Sequence, residues 1–127
     1  MTAPASVVAV LDDEPEMRKA PHRLLACRGF RVEEYERGED PFAAAGLHTM
    51  NYLSLDLHLP GINGFDVLEA FLSQQVRVPA IVITAHDEPD TAERVRALGA
   101  CAYLKKPVDR DALVAAIAAA ASHALEP

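Results

Sequence analysis

Two cysteines, no excess of basic residues and no long apolar stretch set the first limits on this 127-residue sequence. Cys27 and Cys101 lie far apart, with neither CxxC nor zinc-ligand spacing, which excludes a disulfide framework and a structural zinc site. Both sit among apolar residues and read as reduced thiols of the core. Twelve Lys and Arg against nineteen Asp and Glu give a formal net charge of −7. Direct nucleic-acid binding needs Lys and Arg in excess, so an acidic surface suits protein partners or a cation instead. No apolar run approaches the ~20 residues that a membrane span needs. The opening MTAPASVV lacks the basic-then-apolar pattern of a secretory leader. These absences point to a cytoplasmic protein. No repeat, linker or low-complexity segment divides the chain, so the expectation is one domain over residues 1–127 with no output domain in it.

Short apolar runs alternate with helical patterns. The runs are Val7–Leu11, Phe30–Tyr35, Tyr52–Leu57, Ala80–Thr84 and Cys101–Leu104. Three of them, VVAVL, YLSLDL and AIVIT, are too continuous for half-exposed strands and suit central strands covered on both faces. Pro15 is a natural first residue of a helix, with Met17, Leu24 and Leu25 as its apolar side. Phe65, Leu68 and Leu72 recur at helical spacing, as do Thr91, Val95 and Leu98, and then Leu113 and Ile117. Gly29 and Gly99 fall where helices should stop, and Asp109 can cap the last helix. Pro21 inside the first helix predicts a kink. Glu39 to His48 is the segment with the weakest pattern. Five βα units in succession imply an α/β fold, a single five-stranded parallel sheet with right-handed crossovers and helices on both faces.

After the first run the chain sets Asp12, Asp13 and Glu14 side by side. Two carboxylates about 4 Å apart repel by roughly 4 kcal/mol at an effective dielectric near 20. A solvated turn absorbs that cost, and so does a cation between them. In open α/β sheets ligands sit beyond the carboxyl ends of the strands. Those ends carry Asp12–Asp13 on the first run, Asp56 on the third, Thr84 on the fourth, and Lys105–Lys106 just past the fifth. Three carboxylates, a hydroxyl and an ammonium are thereby directed to one edge.

This ordered set, with LPGINGFDVL after Asp56 and Lys106–Pro107 near the end, resembles the receiver domain of two-component response regulators over nearly the whole chain. The resemblance implies the (βα)5 flavodoxin-like fold with strand order 2-1-3-4-5. It also implies a phosphorylation switch and not an enzyme beyond its own self-catalysed phosphoryl transfer and autodephosphorylation. Asp56 would be the phosphoacceptor. Asp12, Asp13, Asp56 and the backbone carbonyl of His58 would hold Mg2+ (or Mn2+). Thr84 and Lys106 would contact phosphoryl oxygens, Lys106–Pro107 would be a cis peptide, and Tyr103 would change rotamer with phosphorylation. The implied partners are a histidine kinase or histidine phosphotransfer protein, then a downstream protein or output domain reached through the face of the fourth helix (from Thr91), fifth strand and fifth helix (the α4-β5-α5 face). A phosphorylation-dependent homodimer is a further implied partner. Phosphoryl transfer needs an in-line nucleophile, a metal and cations to hold spread charge, and Mg2+ favours one or two carboxylates plus waters and phosphate oxygens.

His58 and His86 follow Asp56 and Thr84 by two residues each. They read either as exposed loop residues or as modulators of dephosphorylation that gate water; zinc binding by the pair is not expected. The two glycines of LPGINGFD read as loop geometry. The chain is either a stand-alone receiver or the receiver fragment of a DNA-binding transcriptional regulator. An aspartate-nucleophile phosphohydrolase would want a second carboxylate where His58 stands. A flavodoxin-like cofactor carrier would need a phosphate-binding loop where three acids repel phosphate.

Overall fold

The structure, a computed structural model, describes residues 6–39 and 50–124, with side chains to residue 121. The order is β1 (Val7–Leu11), α1 (Pro15–Cys27), β2 (Arg31–Tyr35), β3 (Tyr52–Asp56), α2 (Gly64–Ser73), β4 (Ala80–Thr84), α3 (Thr91–Ala97), β5 (Ala102–Lys105) and α4 (Arg110–Ala124). The strands form one parallel sheet in the order β2-β1-β3-β4-β5. The weakly patterned stretch from Glu39 to His48 lies, but for Glu39 itself, outside the described residues. The fourth-helix, fifth-strand, fifth-helix face expected above is therefore the face of α3, β5 and α4.

Alternation along the strands divides the core in two, because successive side chains point to opposite faces. Val8, Val10, Ile81 and Ile83 pack with Leu25 of α1 and with Leu113 and Ile117 of α4. Ala9, Leu11, Leu53, Leu55 and Val82 pack with Val67, Leu68 and Phe71 of α2 and Val95 of α3. Both faces of β1, β3 and β4 are buried, which is why their sequences are largely apolar and do not alternate, Ser54 being a buried polar exception in β3.

Local signals set the helix limits. Pro15 opens α1, which continues through the buried Pro21 to Cys27. Gly29 and Gly99 take positive φ of 90° and 100° just past α1 and α3, where an L side chain would be strained. Asp109 accepts from the Ala112 amide at 3.1 Å at the start of α4. At α2, Asn63 and Asp66 bond each other's backbone amides at 3.0 Å, a reciprocal cap.

Four side chains expected inside are outside. Leu72 is 52% exposed and Met17 45%. The inward stripe of α2 follows Val67, Leu68 and Phe71, and Leu72 lies one step round the helix from it. Met17 stands in the first turns of α1, beyond the carboxyl end of the sheet. The cysteines are free and exposed, not core residues. Cys27 ends α1 beside the groove between α1 and the start of α4. Cys101 precedes β5, which among the described residues is the edge strand beside β4, and its thiol donates to the Ala80 carbonyl at 3.4 Å.

Candidate functional site

Register brings the acids together. Leu11 pairs with Leu55, so the next residues, Asp12 and Asp56, leave adjacent strands side by side. Each is 5% exposed. One carboxylate oxygen from each of Asp12, Asp13 and Asp56 can be chosen so that all lie within 4.8 Å of one another. Lys106 arrives from the far side of the sheet, placed by its amide donating to the Thr84 carbonyl at 2.8 Å. Its ammonium donates to Asp12 Oδ2 at 2.8 Å and to Asp56 Oδ2 at 3.4 Å. The Lys106–Pro107 peptide is cis.

The remaining oxygens of the buried pair are held by backbone. Asp12 Oδ1 accepts from the Glu14 amide at 3.0 Å and Asp56 Oδ1 from the His58 amide at 3.2 Å. Burial raises the Asp56 carboxyl above the usual carboxylate value, and the neighbouring Asp12 charge raises it further, against the His58 amide and Lys106. For Lys106, burial works against the charge, but Asp12 and Asp56 outweigh it and hold the ammonium above the usual lysine value. One lysine thus serves two carboxylates and favours Asp12. Asp13 has no hydrogen bond or ion pair to its carboxylate among the described residues. Three acids and one ammonium leave a net negative charge that a hard divalent cation fits, oxygen ligands being what such a cation takes. The adjoining cavity, lined by Met17, Ser54, Asp56 and Lys106 among others, is about 150 Å³. That admits waters and a phosphoryl group but falls short of the roughly 300–1,000 Å³ of a drug-sized ligand's pocket.

Thr84 closes β4, one position past the residue that pairs with Asp56, and is fully buried. Its hydroxyl oxygen accepts from the His86 amide at 3.0 Å, so it is turned to its own loop. The rings of His58 and His86 meet edge to face, centroids 4.2 Å apart, a contact between two loops that no local pattern signals. Tyr103 on β5 donates to Asp87 Oδ1 at 2.9 Å, and Lys105 pairs with Asp87 Oδ2 at 2.7 Å. Asp87 thereby ties the loop after β4 to the edge strand. It was not singled out by sequence, since DEPD in a loop reads as solvated acid.

Comparison with known proteins bears on the family and the fold. The family model of the response regulator receiver domain matches residues 8–118, and the chain belongs to that family. It is 34% identical over 117 residues to the DNA-binding transcriptional regulator NtrC of Salmonella typhimurium, covering 92% of this chain and 25% of that protein. It is 36% identical over 117 residues to the transcriptional regulatory protein KdpE of Mycobacterium tuberculosis, covering 91% of this chain and 50% of that one. The chain therefore spans a quarter to a half of the length of these relatives. A response regulator receiver domain protein from Clostridium thermocellum superposes with a TM-score of 0.84 at 24% identity, over 93% of this chain and 95% of that one, which shows the fold. The family is one of signalling domains, and the flavodoxin-like five-stranded architecture is shared. No helix among the described residues is long and apolar enough to cross a membrane.

Proposed function

We propose that this receiver domain is switched by transfer of a phosphoryl group to Asp56. The observation that carries the reading is the meeting of Asp12, Asp13 and Asp56 oxygens within 4.8 Å, with the Lys106 ammonium on two of them. The donor is a phosphohistidine of a histidine kinase or histidine phosphotransfer protein. An Asp56 oxygen attacks phosphorus, the O–P bond forms as the N–P bond breaks, and the departing imidazole keeps the bonding pair. Asp12, Asp13, Asp56 and the His58 carbonyl would hold Mg2+ (or Mn2+), which supplies neutralisation of the charge spread over the phosphoryl oxygens. Lys106 and the Thr84 hydroxyl take the remaining phosphoryl oxygens. The product is an acyl phosphate, a mixed anhydride open to hydrolysis and so suited to a reversible signal. His58 and His86, in ring contact beside the acceptor, modulate that hydrolysis.

The names of the relatives, a DNA-binding transcriptional regulator and a transcriptional regulatory protein, favour a DNA-binding output segment as recipient of the signal in a longer protein. The proposed route to it is the face of α3, β5 and α4, with homodimerisation on phosphorylation as a further proposed step. Such a protein acts in the cytoplasm. The acceptor is tested by incubation with acetyl phosphate and Mg2+. Intact mass should show one added, alkali-labile phosphoryl group, lost in Asp56→Asn and in EDTA. Label that persists on Asp56→Asn would overturn the assignment.

A further inference from the structure

We propose that Arg18 is a positioning residue for the cation site, a brace that aims Asp13 by holding the peptide between Asp12 and Asp13. The proposal rests on the reading of Asp12, Asp13 and Asp56 as the cation ligands. Arg18 projects from α1 back across the carboxyl end of β1, its side chain only 13% exposed. Its Nη1 donates to the main-chain oxygen of Asp12 at 2.6 Å, and its Nε donates to Glu34 Oε1 of β2 at 2.8 Å. Glu34 is in turn fixed by His22 of α1, whose Nδ1 lies 2.6 Å from Oε2. The Arg18 hydrogen bond, then His22, hold the Glu34 carboxyl below its usual value, so the anchor stays charged.

Asp12 does not need this brace. Its carboxylate is pinned by Lys106 and the Glu14 amide, and its own amide donates to the Tyr35 carbonyl at 3.1 Å. Asp13 is different, because nothing among the described residues grips its carboxylate. The peptide before it sets where its Cα stands and the frame from which its side chain leaves, and Arg18 grips the oxygen of that peptide. A planar guanidinium can hold a carbonyl and a carboxylate at once through fixed N–H directions, whereas a lysine ammonium offers charge without that fork. The edge strand β2 thus fixes a cation ligand on β1 through one side chain of α1.

Two effects of Arg18 oppose each other, and this makes the proposal testable. As a brace it should tighten cation binding; as a nearby positive charge it should weaken it. Mg2+ titrations of the full chain, followed by NMR shifts of the residue 12–14 and 56–58 amides, give the dissociation constant apart from any phosphorylation. Arg18→Lys, Arg18→Met and Glu34→Gln should each weaken Mg2+ binding about tenfold, the scale seen when groups that orient metal ligands are removed. Wild-type affinity in Arg18→Lys and Glu34→Gln, or tighter binding in Arg18→Met, would overturn the brace in favour of plain charge repulsion. Urea unfolding in EDTA guards against a merely structural role, since loss of fold stability with unchanged Mg2+ affinity of the folded protein also overturns it. Failure of the wild type to bind Mg2+ would instead remove the reading of the three acids, and the brace with it.

Discussion

Asp56 shows how a single residue is left poised by its surroundings. It is buried beside another carboxylate and gets the longer of the two Lys106 contacts, 3.4 Å against 2.8 Å for Asp12. Its carboxyl is raised above 3.8 by burial and by Asp12, so the native state binds a proton that the unfolded chain has already released. Stability therefore falls as pH rises from the ordinary carboxylate value through the raised native one. In EDTA at neutral pH, Asp56→Asn should stabilise the domain by about 1 kcal/mol, or roughly 3–5 °C in Tm. The gain should vanish as the pH falls below 3.8, where wild-type Asp56 is protonated in both states. Equal melting curves at neutral pH would show that Lys106 already satisfies both acids. The two histidines make a separate residue-scale case. With rings 4.2 Å apart in the loops after Asp56 and Thr84, His58→Ala and His86→Ala should change the half-life of the proposed acyl phosphate severalfold and its rate of formation much less. Unchanged half-lives in both variants would return them to plain loop residues.

At the scale of elements, the placing of Asp56 depends on how closely α2 approaches the end of β3. Gly64, the first residue of α2, has no side chain because there is no room for one. A Cβ there would stand 2.6 Å from Leu57 Cα and 2.8 Å from the Asp56 carbonyl oxygen. Both are backbone atoms that cannot swing aside. The same glycine's amide donates to the Leu57 carbonyl at 3.0 Å, so the contact also fastens the strand's end. Gly64→Ala should cost about 1–3 kcal/mol of stability by overpacking. By displacing the segment that carries Asp56 it should also slow phosphorylation by acetyl phosphate. Urea unfolding and the labelling rate test the two halves; a variant with wild-type values in both would mean that α2 shifts freely. Close approach and not φ is the reason for glycine at position 64, whereas Gly61 takes a positive φ of 71°.

Across the whole molecule, the proposed exit for a change at Asp56 is the face of α3, β5 and α4. The Thr84 hydroxyl is engaged with His86 of its own loop, and that loop is tied to β5 through Asp87, Tyr103 and Lys105. Burial, then the bond to Asp87, pushes the Tyr103 phenol up to about 12, so it remains a neutral donor at physiological pH. A phosphoryl oxygen that recruits the Thr84 hydroxyl would draw the loop inward and strip Tyr103 of its acceptor. A hundredfold preference for the shifted state needs only ~2.7 kcal/mol of differential binding. Beryllofluoride, standing in for the phosphoryl group, should therefore move the NMR signals of Tyr103 and residues 85–90, and Asp87→Ala should move Tyr103 part of the way without it. Changes confined to α1 and α2 would sink this route.

What the sequence by itself determined is whatever depends on local chemistry and on period. Three nearly continuous apolar runs required strands covered twice, Gly29 and Gly99 required helix ends, and the acids, Thr84 and Lys106 fell at strand ends, where a parallel sheet gathers them. The order β2-β1-β3-β4-β5 agrees with the family resemblance and with the crossover rule. Tertiary structure decided which neighbour covers which side chain, and that is not written in any local window. Cys27 and Cys101 stand in apolar sequence yet face outward, because one ends a helix beside a groove and the other enters an edge strand. Leu72 fits the helical spacing of Phe65 and Leu68, but the stripe on Phe71 is the one that the sheet covers. The meeting of His58 with His86, of Asp87 with Tyr103, and of Arg18 with the Asp12 carbonyl joins residues on different elements. Such contacts exist only once strand register and helix packing have brought those elements within reach.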